Sequence, residues 1–250
     1  MDLVKKGSET AKAGFQNEKD VVNIFNQWET NKLARDWLVA MNYDLKDIEY
    51  VKAEKIKGSY KADIQVQVRI TIKFKSLIDC QNIQVKLVSN AKGFNQIDKR
   101  WLVKYKDMWN IPNDVYTILQ HYVGELPPYK ANTKDSRRMF INEMTIEEQN
   151  ILLTWLNENK YLIVSDILKG RGQFSAEWVL VIKKTNFLDW VLKPINFVMN
   201  HYSNGDIGIS NNGNIHLGKI TVQRKGGDGG RETAKMLQFK IDPTELFNIA

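Results

Sequence analysis

The chain has 250 residues, 43% hydrophobic and 10% aromatic, with 36 Lys and Arg against 29 Asp and Glu for a net charge of +7. That composition supports a buried core and excludes a disordered or fibrous chain, while the basic balance suits a polyanionic partner such as nucleic acid. No run reaches the roughly 18 apolar residues of a membrane span, no apolar stretch follows Met1 to Lys6 as in a secretory signal, and the one cysteine, Cys80, excludes an internal disulfide and suits a cytoplasmic location.

Residues 8–42 read as two helices. Phe15, Val22 and Phe25 form an apolar stripe on the first, and Glu18 falls on that stripe, either snorkelling to water or turned toward a site. Leu33, Trp37, Leu38 and Met41 carry the second helix to Asn42. From Ile64 to Phe74 every second residue is apolar, the period of a half-buried strand. In Asn82 to Leu87, Ile83, Val85 and Leu87 share one face while Gln84 and Lys86 share the other. Ile97, Trp101, Leu102 and Tyr105 predict a helix over 96–109, and a second is expected over 113–122, ending at Gly124. Leu126 to Tyr129 is extended, and Lys130 to Arg138 is a basic loop. Thr145 and Glu148 form a capping box for a helix through Asn159. Tyr161 to Leu168 and Glu177 to Lys183 read as strands, Leu188 to Tyr202 as a helix kinked at Pro194, and 215–225 and 236–241 as strands. The pattern is α/β of the α+β kind, a central mixed sheet flanked by helices, with one domain expected over 1–250.

If the two strands around residues 64–87 pair, Asp63, Gln84 and Lys86 can converge. An acid, a second oxygen ligand and a lysine suit a metal-dependent phosphodiesterase. The plainer alternative makes Asp63 a turn residue and leaves Gln84 and Lys86 facing solvent. Asn95, Gln96 and Lys99 sit where a loop is expected to enter a helix, and amides there can pair with base edges. Gln223, Arg224 and Lys225 precede a run of glycines around Asp228 that lets the backbone approach a phosphate. Lys134, Arg137 and Arg138 are either phosphate contacts or a solvated loop. His121, His201 and His216 have no metal-ligand spacing.

Asp63-x(20)-Gln84-x-Lys86 resembles the core of the PD-(D/E)xK nucleases, with Gln in place of the second acid. Longer strings are more specific: Gln84-Val85-Lys86-Leu87-Val88-Ser89-Asn90, Gly93-Phe94-Asn95-Gln96-Ile97-Asp98-Lys99, Gly124-Glu125-Leu126-Pro127-Pro128-Tyr129, Gln223-Arg224-Lys225-Gly226-Gly227-Asp228 and Leu237-Gln238-Phe239-Lys240-Ile241-Asp242-Pro243. These resemble the HinP-type, GCGC-cutting type II restriction endonucleases nearly end to end. The resemblance implies a restriction-endonuclease-like fold and Mg²⁺-dependent, in-line hydrolysis of double-stranded DNA at a short palindrome, GCGC. It implies Asp63, Gln84 and the Val85 carbonyl as metal ligands, with Lys86 as the catalytic cation and Glu18 in support. It also implies Gln96 at the centre of the DNA site, with Asn95, Lys99, Gln223, Arg224, Lys225 and Asp228 as further DNA contacts. Cutting both strands of a palindrome calls for two active sites, usually a homodimer, and a cognate DNA methyltransferase to protect the host. In the resembled family, however, a monomer on DNA pairs back-to-back and one strand is nicked at a time. Two departures stand out. Ala62 precedes Asp63 where the family has Ser, and the longer Asp63-to-Gln84 spacing is expected to lengthen the hairpin near Ser76 to Gln81. Ala62 and the neutral Gln84 also motivate an alternative, a sequence-specific DNA-binding protein on an inactive nuclease fold. An RNA-directed protein would need exposed stacking aromatics, and most Trp and Tyr here fit helical core stripes.

Overall fold

Two five-stranded sheets organise the chain. The computed structural model describes residues 16–56, 67–74, 77–89, 93–184, 186–227 and 231–249. In chain order the first elements are α1 (16–26), α2 (Lys32–Ala40), β1 (Tyr50–Lys55), β2 (Gln67–Phe74), β3 (Leu77–Val88) and β4 (Asn95–Arg100). Then come α3 (Leu102–Trp109), α4 (Asn113–Val123), α5 (Ile146–Leu168), β5 (Trp178–Lys183), β6 (Asn186–Pro194) and α6 (Ile195–Ser203). The last are β7 (Ile207–Ile209), β8 (Ile215–Leu217), β9 (Ile220–Arg224) and β10 (Leu237–Ile241). They fall into two compact units, one of Met1–Phe94, Leu168–Val198 and Asp242–Ala250, the other of Asn95–Ile167 and Met199–Ile241.

The first unit holds a mixed sheet in the order β1-β2-β3-β5-β6, antiparallel except for the β3–β5 pair. The expected α+β fold with a central mixed sheet is therefore present. Its core forms where helices α1 and α2 lay Val21, Phe25, Trp37 and Leu38 against Val51, Ala53, Ile72, Ile83, Val85 and Leu180. Burying each large side chain stabilises the fold by about 1.5–3 kcal/mol. Trp37 is fully buried against Phe25, with ring centroids 5.0 Å apart. Asn31 caps α2 by accepting from the Leu33 N–H at 3.0 Å. The β2–β3 arms pair as far as Phe74 opposite Leu77, so residues 77–81 extend the hairpin as strand.

The second unit holds an antiparallel sheet in the order β4-β10-β9-β8-β7. Three expectations change. Residues 96–100 are strand β4, paired with β10, and the helix starts only at Leu102. Tyr161 to Leu168 is not a strand but the end of α5. The capping box at Thr145 and Glu148 forms as expected, and the helix it launches runs on through the β-branched stretch. Ile163, Val164, Ile167 and Leu168 are buried at helical spacing while Tyr161 is exposed. Gly170 follows at φ 78, a conformation that ends helices. In the first unit, 188–194 is likewise strand β6, with Leu192 opposite Leu180. Pro194 ends this edge strand, where no ladder N–H is required, instead of kinking a helix.

Candidate functional site

In the first unit, β3 runs between β2 and β5, with Gln84 opposite Gln67 on one side and Val179 on the other. Asn82 to Lys86 are five consecutive buried residues; Gln84 is 1% exposed and Lys86 8%. The solvent-facing reading of these two side chains therefore fails. Burying an amide without a partner costs about 1–3 kcal/mol, and a charge more. Asn82 offsets its cost by donating its backbone N–H to the Glu177 carboxylate at 2.7 Å and its side-chain amide to the Gln173 carbonyl at 2.9 Å. Gln84 does not: its Nε2 is buried with no hydrogen-bond partner among the described residues. Turning that amide over would present its oxygen instead. A polar end without a partner on a central strand fits an oxygen ligand for a hard divalent cation. Asp63 and Ala62 lie outside the described residues. Among the described residues no three His, Cys, Asp or Glu side chains gather to hold a metal, and on this strand the Gln84 amide is the buried side chain left without a partner among the described residues.

Glu18 lies with Val21 and Phe25 on the buried face of α1 and is only 6% exposed, so it does not snorkel. Its carboxylate pairs with the Lys55 ammonium at the end of β1. Burial pushes the Glu18 carboxyl above its usual range, and Lys55, then Lys86, act in the opposite direction. Glu18 is thus a buried carboxyl in the fields of two lysines. Nothing in the sequence marked Lys55, although it continues the inward alternation of Val51 and Ala53 along β1.

In the second unit, strand register sorts the residues expected to contact DNA by face. Gln238 on β10 lies opposite Lys99 on β4 and Gln223 on β9, and Lys240 lies opposite Gln96 and Thr221. Opposed residues point the same way, so Gln96, Lys99, Gln223 and Lys240 share one face. A β-bulge makes this possible. The register shifts between Phe239 and Lys240, leaving Ile97 as the extra residue on β4. Ile97 and Asp98 are consequently both buried, and Gln96 and Lys99 fall on the same side although three residues apart. The other face carries Phe239, against which Tyr105 and Trp109 of α3 pack edge-on. There Asp98 accepts from Arg100 at 2.9 and 3.1 Å and from the Tyr105 hydroxyl at 2.6 Å, which pins β4 to α3. Asn95 opens β4 opposite Ile241, and Lys225 follows β9 with its N–H bonded to Met236. Lys240 was not singled out from sequence; it is half-buried, and desolvation lowers its pKa below the usual lysine value. Arg224 pairs with Leu237 and so belongs to the face opposite Gln223. Asp228 lies outside the described residues.

This arrangement supplies a buried glutamine and lysine on the central strand of one unit and an amide- and lysine-bearing sheet face in the other. No curated protein matches the sequence. Among solved structures, the crystal structure of restriction endonuclease MspI in complex with its cognate DNA is similar, with a TM-score of 0.64 and 14% identity over 96% of this chain and 93% of that one. At that identity the likeness speaks for the fold. The family model of the R.HinP1I restriction endonuclease matches residues 41–247, most of the chain including Gln84, Lys86, Gln96 and Gln223, and the protein therefore belongs to the R.HinP1I restriction endonuclease family.

Proposed function

We propose that this type II site-specific deoxyribonuclease hydrolyses double-stranded DNA at GCGC in a Mg²⁺-dependent, in-line reaction, and that residues 1–250 work as a single catalytic and DNA-binding domain in the cytoplasm. Restriction endonucleases generally use divalent metal ions, and the observation that supports the reading here is the burial of Gln84 and Lys86 on the central strand β3. Asp63, the Gln84 amide oxygen and the Val85 carbonyl would hold the ion, which when bound polarises the scissile phosphate and acidifies its water. A neutral Gln in the set reduces the local negative charge, so the phosphate completes the site. The Lys86 ammonium stabilises charge developing on the phosphate oxygens, and its burial strengthens that interaction relative to water. Glu18 balances Lys86 and Lys55 so that two ammoniums can sit near each other. Gln96 enters the centre of the site. Asn95, Lys99 and Gln223 offer amides and an ammonium to base edges, while Arg224, Lys225 and Asp228 complete the DNA contacts.

The test is digestion of unmethylated DNA with roughly 5–10 mM Mg²⁺, an excess suited to a weak hard-cation site, beside EDTA and Lys86→Ala controls. Discrete fragments ending at GCGC, absent from both controls, are expected. Fragments ending at another sequence would remove the specificity and keep the nuclease. Intact DNA that still shifts on a gel would instead favour a binding protein with an inactive site, as the neutral Gln84 would suit. A methyltransferase that modifies the same sequence is expected alongside this enzyme.

A further inference from the structure

Three arginines of the second unit share one carboxylate. Arg137 takes both Asp135 oxygens in a two-pronged pair at 2.8 and 3.0 Å, and its backbone N–H adds a third bond. Arg138 and Arg224 are left with more distant ion pairs to the same carboxylate, at 3.6 and 3.8 Å. Their side chains are only 12% and 8% exposed, and the Nε of each is buried with no hydrogen-bond partner among the described residues. Glu143 and Glu232 attract Arg138 and Arg224 only at a distance, their hydrogen bonds and ion pair going to the Lys134 and Phe140 N–H groups and to Lys235. Burial depresses both arginines below their ordinary pKa, with repulsion from Arg137 adding to it at each.

Desolvated cations held by one shared carboxylate are unfavourable, and a cluster of them marks a candidate anion site. Their placement is fixed. Arg138 stacks on Phe140 at 4.0 Å and donates to the Tyr122 carbonyl at 3.4 Å. Tyr122 is itself held to β9 through the Val222 carbonyl at 3.0 Å. Arg224 is the last residue of β9. Beyond it, Lys225 and Gly226 donate their N–H groups to the Met236 and Ala234 carbonyls at 2.8 and 3.0 Å, while Gly226 and Gly227 take φ of 63 and 65 and a Cβ on either would meet nothing within 4 Å, so this turn leaves open space beside the strand end.

We propose that Arg138 and Arg224, with Arg137 at the rim, form a preformed site for one phosphodiester of the DNA backbone, with Asp135 as its internal counter-ion. The inference rests on the DNA-cleaving reading above and assigns Arg224 to backbone positioning, apart from the base-reading face of Gln96, Lys99 and Gln223. Guanidinium forks match the two non-bridging oxygens of a phosphodiester, which an ammonium does not. Such a contact carries affinity without sequence information.

The experiment measures duplex binding without Mg²⁺ as a function of salt, for wild type, Arg224→Gln, Arg224→Lys and Arg138→Gln, on a GCGC duplex and on a scrambled one. Arg224→Gln is expected to weaken both duplexes by the same factor, roughly tenfold, and to reduce the slope of log K against log salt by about 0.9. Arg224→Lys restores the slope but not the full affinity. An unchanged slope, or a loss confined to the GCGC duplex, overturns the proposal. If a variant fails to fold, wild type is tested on duplexes with a single neutral methylphosphonate moved along the backbone. One position that lowers the slope supports the site, and no such position overturns it. Wild type that binds neither duplex overturns the functional reading and this inference together, whereas wild type that binds with every variant behaving identically overturns this inference alone.

Discussion

Lys55 is the residue that most alters the electrostatics of the proposed catalytic centre. A buried glutamate facing one lysine would be a simple ion pair, but Glu18 stands in the fields of both Lys55 and Lys86. Its folded pKa lies above the ordinary carboxyl value of 4.5, so the folded state keeps the proton longer than the unfolded chain does. The sign follows: the stability Glu18 contributes is greatest below the unfolded value and is lost as pH rises through the folded one. Catalysis runs the other way if the ionised form is the one that holds the lysines. Cleavage should then climb with pH on an acid limb displaced above 4.5. Glu18→Gln should remove that limb. Lys55→Met, which takes away the largest influence lowering the Glu18 pKa, should move the limb to higher pH and slow cleavage at pH 7 by roughly tenfold, about 1.4 kcal/mol in the barrier. A pH–rate series on the three proteins checks this. A limb that stays in place in Lys55→Met would mean that the pair only holds α1 to β1.

At the scale of elements, period-two alternation made β2 and the inward face of β3 legible, because one face of each strand meets the helices. The same alternation separated Gln84 and Lys86 from Ile83 and Val85 but carried no information on burial, since a polar residue buried for function looks like one facing water. Strand β4 was missed for a different reason. Its bulge breaks the alternation, and Ile97, Trp101, Leu102 and Tyr105 then mimic a helical stripe across what is really a strand followed by a helix. Tyr161 to Leu168 failed because β-branched propensity is weaker than the continuation of a well-capped helix. The cluster that holds β4 in its bulged form gives a prediction. Asp98 is 1% exposed and receives bonds from Arg100 and Tyr105. Asp98→Ala leaves a guanidinium and a hydroxyl without their acceptor and should cost about 3 kcal/mol. In thermal unfolding that is a fall of roughly 6–12 °C for a chain of this size. DNA binding should weaken beyond what stability explains, because Gln96 and Lys99 share their face only while the bulge persists. A loss of stability with unchanged affinity would separate the network from the reading face.

For the whole molecule, the chain passes between the two units at Phe94–Asn95, Ile167–Leu168, Val198–Met199 and Ile241–Asp242, so neither unit is one continuous segment. The proposal that they work as a single domain predicts one cooperative unfolding transition, the same by fluorescence and by far-ultraviolet dichroism. A single chain, however, carries only one Asp63–Gln84–Lys86 set, and a palindrome presents one scissile phosphate on each strand. On the proposed reading, one chain bound to one site cuts one strand, and the second cut needs a second chain or a second encounter. The net charge of +7 favours rebinding, since duplex DNA attracts the released protein before it diffuses away. On a supercoiled plasmid with a single site, open-circular DNA should thus appear before linear DNA. Its peak should shrink as protein concentration rises, because a second chain then reaches the nicked site sooner. It should grow as salt is added and rebinding weakens. Linear product forming without a nicked intermediate at every protein concentration would require two active sites delivered together, and would make the homodimer the cutting species.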